Sequence, residues 1–443
     1  MQKQQIRKGF SKLNKAQKID LTASYFENPA KAAQELKSFW HQDPELQKRL
    51  DEFAENTISN YFFPYGIAPN FVINGNMYLV PMVIEESSVI AAASNAAKFW
   101  SERGGFHAEV VSTKKIGQVH FIWEGNAELL HSAMPDIREK LITETQNITK
   151  NMRGRGGGIL SIELIDMSTK LENYYQLKAE FETVDSMGAN FINSCLEEFA
   201  QQLKRFLKED PRFTGRSSDC EIVMAILSNY TPECLVKTWV ECDISEFEEV
   251  DRNLSAQQFA EKFERAVRIA QQDIYRATTH NKGIMNGIDA VVLATGNDFR
   301  AIEASAHTYA ARKGRYTSLT DISLDNNRFR YELNVPLALG TVGGLTSLHP
   351  LAGFSLELLN NPGAEQLMMI AATAGLANNF SALKSLTTKG IQVGHMKMHL
   401  YNILNHIGVT TDEKEKVVEY FKDKKVSFSH VKELVSSIRK KNT

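Results

Sequence analysis

The segment from His280 to Asp298, HNKGIMNGIDAVVLATGND, constrains this chain most because it sets a lysine and an aspartate at the two ends of a mostly apolar, glycine-containing run. An ammonium group that leaves water must find a partner or lose its proton. We therefore expect Lys282 and Asp298, at the two ends of a half-buried segment, to be paired in a functional site and not solvated on the surface. Taken alone, a lysine near an aspartate is more often a structural ion pair.

The overall charge excludes several classes of ligand. The 443 residues include 51 basic and 53 acidic side chains, which gives a formal net charge of −2. The chain therefore has no overall positive field for a nucleic acid or an anionic membrane, and an anionic ligand needs a local site. No apolar run approaches the roughly 20 residues of a membrane span, and no apolar stretch follows the basic N-terminus as in a secretory signal. We expect a cytoplasmic protein of two or three domains.

The residues that commonly bind metals lack the usual spacing. The four cysteines contain no CxxC pair, which argues against a zinc site and against a disulfide framework: Cys195, Cys220, Cys234 and Cys242. His395 and His399 are four residues apart, but no glutamate completes an HExxH motif. We expect reduced thiols and no metal.

Two glutamates stand at a predicted strand-to-helix junction. A strand–turn–strand pattern around Asn74-Gly75 leads directly into Glu85 and Glu86, and an alanine-rich helix follows, with Ser87 or Ser88 as its cap. On their own, such carboxylates more often only favour the helix macrodipole.

From about Val111 to Cys220 the pattern indicates an inserted α+β domain. We expect one helix from Ala127 to about Lys150. The glycines of Arg153 to Gly158 follow a helix and precede a strand, which is the reverse of the Rossmann order, so we reject a Rossmann fold.

The better candidate for a nucleotide site is DSMGAN, Asp185 to Asn190, between a strand and a helix. We expect Asp185 to cap this helix and Gly188 to let a ligand approach the first turn, whose exposed amides attract phosphate. A plain capped helix is the alternative interpretation.

Four motifs in family order support a resemblance: IEESS at Ile84 to Ser88, DSMGAN, the NKG to GND run, and GHM at Gly394 to Met396. Together they resemble the 3-hydroxy-3-methylglutaryl-coenzyme A reductases, specifically their soluble bacterial class II, from about Glu55 to the C-terminus. The resemblance implies an α+β fold with a large substrate-binding domain around a long central helix (residues 1–113 and 221–390). It also implies an inserted, small, non-Rossmann, ferredoxin-like dinucleotide-binding domain (114–220) and a C-terminal helical flap (391–443).

The resemblance also implies roles for individual residues. Reduction of a thioester needs a group that stabilises an oxyanion and acids for the oxygen and the leaving thiolate. Lys282 resembles the family lysine at the oxygen, Glu86 the catalytic acid, Asp298 the aspartate that hydrogen-bonds both, and His395 the histidine that protonates the thiolate. The residues that match substrate-binding positions are Ser88, Arg276 and Asn286, and those that match the dinucleotide loop are Asp185, Met187, Gly188, Ala189 and Asn190.

The reaction implied is the reduction of 3-hydroxy-3-methylglutaryl-coenzyme A to mevalonate and coenzyme A with two reduced nicotinamide cofactors. Thr149-Lys150 replaces the aspartate of NAD-using relatives, and Arg153 and Arg155 follow, so we favour NADPH while NADH remains possible. The family implies a homodimer with sites at the subunit interface. Two alternatives stay open: NAD-dependent oxidation of mevalonate, and a catalytically idle acyl-coenzyme A binding protein.

Overall fold

The computed structural model describes residues 8–388, 400–401, 403–421, 424 and 426–441. The predicted catalytic His395 lies outside these residues. The strands are β1 Tyr65–Ile73, β2 Asn76–Val83, β3 His107–Val110, β4 Lys115–Ile122, β5 Gly158–Asp166, β6 Tyr174–Glu182, β7 Glu221–Leu227, β8 Leu235–Asp243, β9 Thr320–Asp325 and β10 Arg328–Pro336.

The helices up to residue 388 are α1 Lys15–Ala23, α2 Pro29–Ser38, α3 Pro44–Asp51, α4 Val89–Ser101, α5 Ala127–Glu144, α6 Gln146–Arg153, α7 Ala189–Glu209, α8 Ala256–Gln272, α9 Ile274–Ala294, α10 Phe299–Ala310, α11 Leu345–Leu348, α12 Pro350–Leu358 and α13 Ala364–Thr387. Two more helices, Thr411–Tyr420 and Phe428–Lys441, pack around a small apolar cluster near the C-terminus. None of the helices in the described part of the chain combines the length and apolar character needed to cross a membrane.

The larger unit surrounds α9, which packs along α13 and carries Lys282. Close packing of the two helices depends on small residues: a Cβ at Gly287 would collide with the carbonyl of Ala374, and one at Gly375 would lie 2.7 Å from Ile288. An antiparallel sheet in the order β3-β8-β10-β9 contributes to the same core, as does the β1–β2 hairpin. The long helices α9 and α13 together lie in the core of this unit.

The smaller unit is an antiparallel sheet in the order β5-β6-β4-β7 with α5, α6 and α7 packed on it. The chain order is βαββαβ, with no parallel Rossmann sheet, as predicted. Two details differ from the predictions. The helix from Ala127 is interrupted at Thr145, whose hydroxyl bonds back to Leu141 O, so α5 and α6 are separate. The predicted boundary at Cys220 is too early, because β7 pairs with β4.

Several features of the fold follow from local sequence, and the predicted Asn74-Gly75 turn is confirmed. Asn74-Gly75 and Asn326-Asn327 form the turns of the β1–β2 and β9–β10 hairpins, with left-handed φ angles at all four residues. Ser255 caps α8 in a capping box with Gln258. All four cysteines are buried as free thiols, and burial raises their pKa values to about 11 or 12, so they stay protonated.

Candidate active site

A lysine–carboxylate pair joins the central helix to the strand-to-helix junction. Lys282 Nζ, on α9, lies 3.7 Å from Glu86 Oε2, in the short segment between β2 and α4. The two elements meet because α9 packs against both β2 and α4. Two residues 196 positions apart in sequence are thereby brought into one site, as predicted.

Ser88 fixes the other oxygen of the glutamate. Its hydroxyl donates to Glu86 Oε1 at 2.8 Å. Ser88 occupies the N-cap position of α4, but its side chain makes no capping hydrogen bond there. The hydroxyl that sequence suggested as a helix cap therefore orients the carboxylate instead.

The prediction that Lys282 is not a solvated charge is wrong for the isolated chain. The Lys282 side chain is 63% exposed and that of Glu86 33% exposed. The pair lies on an open face of α9, where water screens it. The described part of one chain therefore leaves this pair open to solvent.

Asp298 lies at the far end of α9, away from Lys282. It is the N-cap of α10, where its carboxylate accepts hydrogen bonds from the amides of Arg300 and Ala301 and pairs with the Arg300 guanidinium at 2.9 Å. Burial alone raises the pKa of Asp298, but the hydrogen bonds and the charge of Arg300 outweigh it, so the pKa is lowered. The 12 residues of α9 beyond Lys282 span about 18 Å, so this Asp298 does not reach the Lys282 of its own chain.

Arg276 has the character of an anion-binding residue. It lies in the first turn of α9, its side chain is half-buried, and burial lowers its pKa. Within the described residues its guanidinium makes no hydrogen bond or ion pair, and Asp273 accepts only its backbone amide. A partly desolvated cation without a counter-charge favours an anion. Asn286 lies one turn beyond Lys282 and is partly exposed on the same face of α9.

The DSMGAN loop differs from the prediction at its first residue. Asp185 does not cap α7. Gly188 is the N-cap, with φ +86°, and no side chain caps this helix. Asp185 Oδ1 instead accepts from the amide of Ala364 at the start of α13. The first-turn amides of α7, at Ala189 and Asn190, therefore have no side-chain cap within the described residues.

A cleft of about 610 Å³ lies beside this loop. Arg155, Val184 and the N-terminal turn of α13 contribute to its walls. Val184 has φ +51°, which is an outlier for a β-branched residue and is typical of a functional loop. Of the nearby carboxylates, Glu182 bonds to Thr113 and to the Val184 amide, and Asp185 to α13. Met187 and Ala189 face a separate small crevice.

Sequence reasoning missed two features. Asn297 Oδ1 accepts from the Gly340 amide at 2.8 Å and so ties the glycine-rich segment GTVGG, residues 340–344, to the residue before Asp298. A cluster of buried polar side chains beside Arg276 was also missed. His280, two residues before Lys282, was the signal for it in the sequence. Both depend on strands and loops that are distant in sequence.

The fold and this site define an enzyme with a lysine–carboxylate pair in its large unit and an inserted βαββαβ unit. A family model described as hydroxymethylglutaryl-coenzyme A reductase matches residues 19–400. The chain therefore belongs to the hydroxymethylglutaryl-coenzyme A reductase family.

Individual relatives agree with this membership. The chain is 35% identical to a 3-hydroxy-3-methylglutaryl-coenzyme A reductase of Archaeoglobus fulgidus, over 97% of this chain and 94% of that protein. It is 32% identical to a probable reductase of Borreliella burgdorferi, over 92% and 93%. A class II reductase from Streptococcus pneumoniae, solved bound to NADPH in open conformations, has 34% identity and a TM-score of 0.70, over 86% of this chain and 99% of that one.

Proposed function

We propose that this chain reduces 3-hydroxy-3-methylglutaryl-coenzyme A to mevalonate and free coenzyme A at the expense of two NADPH. The observation that carries the proposal is the Lys282–Glu86 pair, held by Ser88 between α9 and the β2–α4 junction. Membership of the reductase family supports the same reaction.

The side chains suit the chemistry of two successive reductions. Bound NADPH supplies a hydride in each. Lys282 donates hydrogen bonds to the thioester oxygen and stabilises the negative charge that develops there. Glu86, when protonated, gives a proton to that oxygen, and the hydrogen bond from Ser88 holds the carboxyl group in position. Overall, two hydrides and two protons convert the thioester to a primary alcohol and a thiol. Protonation of the thiolate by His395 remains a prediction from the resemblance.

The residues near α7 fit a dinucleotide. The uncapped first turn of α7 offers amides to a pyrophosphate, and Gly188 adopts the left-handed φ at which this turn begins. Arg155 lines the adjoining cleft and can pair with a 2′-phosphate, whereas the Arg153 side chain bonds back to Gln146 O. We therefore assign NADPH binding to the small, ferredoxin-like unit, substrate binding to the large unit, and a closing flap to residues 391–443.

A homodimer completes the site. Because Asp298 does not reach Lys282 within one chain, a second copy must supply it if it serves the pair. Exposed apolar side chains of α11 and α12 flank the Asp298 loop, since Gly296 packs against Leu345 and Ala352. These side chains are Leu345, Leu348, Leu351 and Phe354. An apolar patch of this kind marks an interface. A second copy of the chain that covered this patch would place Asp298 of the first chain beside Lys282 of the second.

The test is oxidation of NADPH, and separately of NADH, in the presence of 3-hydroxy-3-methylglutaryl-coenzyme A, with the thiol released counted in parallel. We expect two NADPH consumed per thiol. Lys282→Ala should abolish turnover and keep the unfolding temperature, while Lys262→Ala, an exposed lysine on α8, serves as the matched control and should change neither. Tight binding of the coenzyme A ester without oxidation of either cofactor would instead indicate an idle binding protein.

A further inference from the structure

A buried polar cluster lies one turn along α9 from Arg276, and the proposed reaction does not use it. His280 is 1% exposed, and its Nε2 lies 2.7 Å from Thr320 Oγ1. Asn379 donates to the carbonyl of His280 and accepts from the Tyr331 hydroxyl. The charge of Arg276 acts on both the His280 ring and Tyr331, so the guanidinium is close to this cluster.

The hydrogen bonds around Thr320 bear on the tautomer of His280. Ser318 Oγ lies 3.3 Å from the Thr320 carbonyl oxygen and 2.9 Å from Thr320 Oγ1, and either hydroxyl can be the donor in the second contact. In the arrangement that makes both hydrogen bonds, Ser318 donates to the carbonyl and Thr320 Oγ1 donates to Ser318. The hydroxyl of Thr320 has then used its hydrogen, and it accepts from His280 Nε2. In this arrangement the proton of His280 is on Nε2, and Nδ1 carries a lone pair.

His280 Nδ1 is a buried acceptor without a donor. Within the described residues it has no hydrogen-bond partner. A histidine that served packing alone would be expected to satisfy both ring nitrogens. Arg276, four residues earlier on the same face of α9, has the complementary defect: its half-buried guanidinium has donors without acceptors in the described part of the chain.

We propose that His280 is a positioning residue for Arg276. Nδ1 accepts one hydrogen bond from the guanidinium and so directs the remaining N–H groups at the terminal carboxylate of the substrate. The assignment rests on the proposed function, in which Arg276 binds that carboxylate. Burial, followed by the charge of Arg276, lowers the pKa of His280 to about 3, so the ring is neutral at physiological pH.

Two substitutions of His280 distinguish the role of Nδ1 from that of Nε2. The amide of asparagine overlays Nδ1, whereas the amide of glutamine extends to Nε2. We expect His280→Gln to weaken binding of 3-hydroxy-3-methylglutaryl-coenzyme A about tenfold, as for loss of a hydrogen bond to a charged group, and His280→Asn to stay within about twofold of wild type. The matched control is His307→Asn, a histidine of α10 that bonds to Tyr316, and it should bind as wild type.

Dissociation constants are measured by calorimetry for 3-hydroxy-3-methylglutaryl-coenzyme A and for 3-hydroxy-3-methylbutyryl-coenzyme A, which lacks the terminal carboxylate. Affinity for the second ester should be the same in wild type and both variants, and steady-state rates should show a raised KM with kcat nearly unchanged. A double-mutant cycle with Arg276→Ala should be non-additive. Equal losses for both esters, additive effects, or no loss in His280→Gln would overturn the proposal. Carboxylate-dependent losses in a protein that oxidises no NADPH would keep it and reject the proposed function.

Discussion

Asp289 and Glu303 bring two carboxyl groups together between α9 and α10. Burial, followed by the charge and hydrogen bonding of Glu303, raises the pKa of Asp289 above its ordinary value, and Asp289 Oδ1 is buried without a partner in the described residues. The folded state then binds more protons than the unfolded chain, so stability falls as pH rises above about 4, until the folded-state pKa is passed. Asp289→Asn removes this dependence.

The measurement is thermal or denaturant unfolding between about pH 5 and pH 8. We expect the free energy of unfolding of wild type to decline more steeply than that of Asp289→Asn, by about 1–3 kcal/mol over this range. Asp20→Asn, which changes an exposed carboxylate of α1, should follow the wild-type curve. Parallel curves for wild type and Asp289→Asn would mean that the two carboxyl groups do not share a proton.

Cofactor preference is also decided by single residues, and the cleft beside Val184 distinguishes two neighbouring arginines. Arg155 faces the cleft, while Arg153 donates to Gln146 O. We expect Arg155→Ala to raise the KM for NADPH about tenfold and to leave that for NADH unchanged, because the lost contact is with the 2′-phosphate. Arg153→Ala is the matched control. Equal effects of both substitutions, or an equal effect on NADH, would remove Arg155 from this role.

At the scale of elements, the first turn of α7 depends on a left-handed residue. Gly188 has φ +86°, and an added Cβ would collide with the buried side chain of Thr183. Gly188→Ala should cost about 1–3 kcal/mol of stability and raise the KM for NADPH, because the amides that face the pyrophosphate are displaced. Gly154→Ala provides the control, since its Cβ would meet only ordinary contacts. An unchanged KM in Gly188→Ala would contradict this assignment.

Elements whose signals lie within a few residues were predictable. The Asn74-Gly75 turn formed as predicted, and the Ser255 capping box likewise depends only on neighbours in the chain. Asp185 was misassigned because the amide it binds belongs to Ala364, 179 residues away, which no local pattern indicates. Pairing of Glu86 with Lys282 was predicted from the family resemblance, because nothing in the spacing of the two residues requires it.

At the scale of the whole molecule, the proposed second copy would account for both the exposure of Lys282 and the remoteness of Asp298. If each site takes Lys282 and Glu86 from one chain and Asp298 from the other, inactive variants can complement each other. We expect Lys282→Ala and Asp298→Ala, each inactive alone, to recover about a quarter of wild-type turnover when unfolded and refolded together, since half of the dimers are mixed and each mixed dimer holds one intact site. Lys282→Ala with Glu86→Ala should recover none, because those residues share a chain. Absence of recovery in the first mixture, with dimers present by light scattering, would place Asp298 outside the site of its partner.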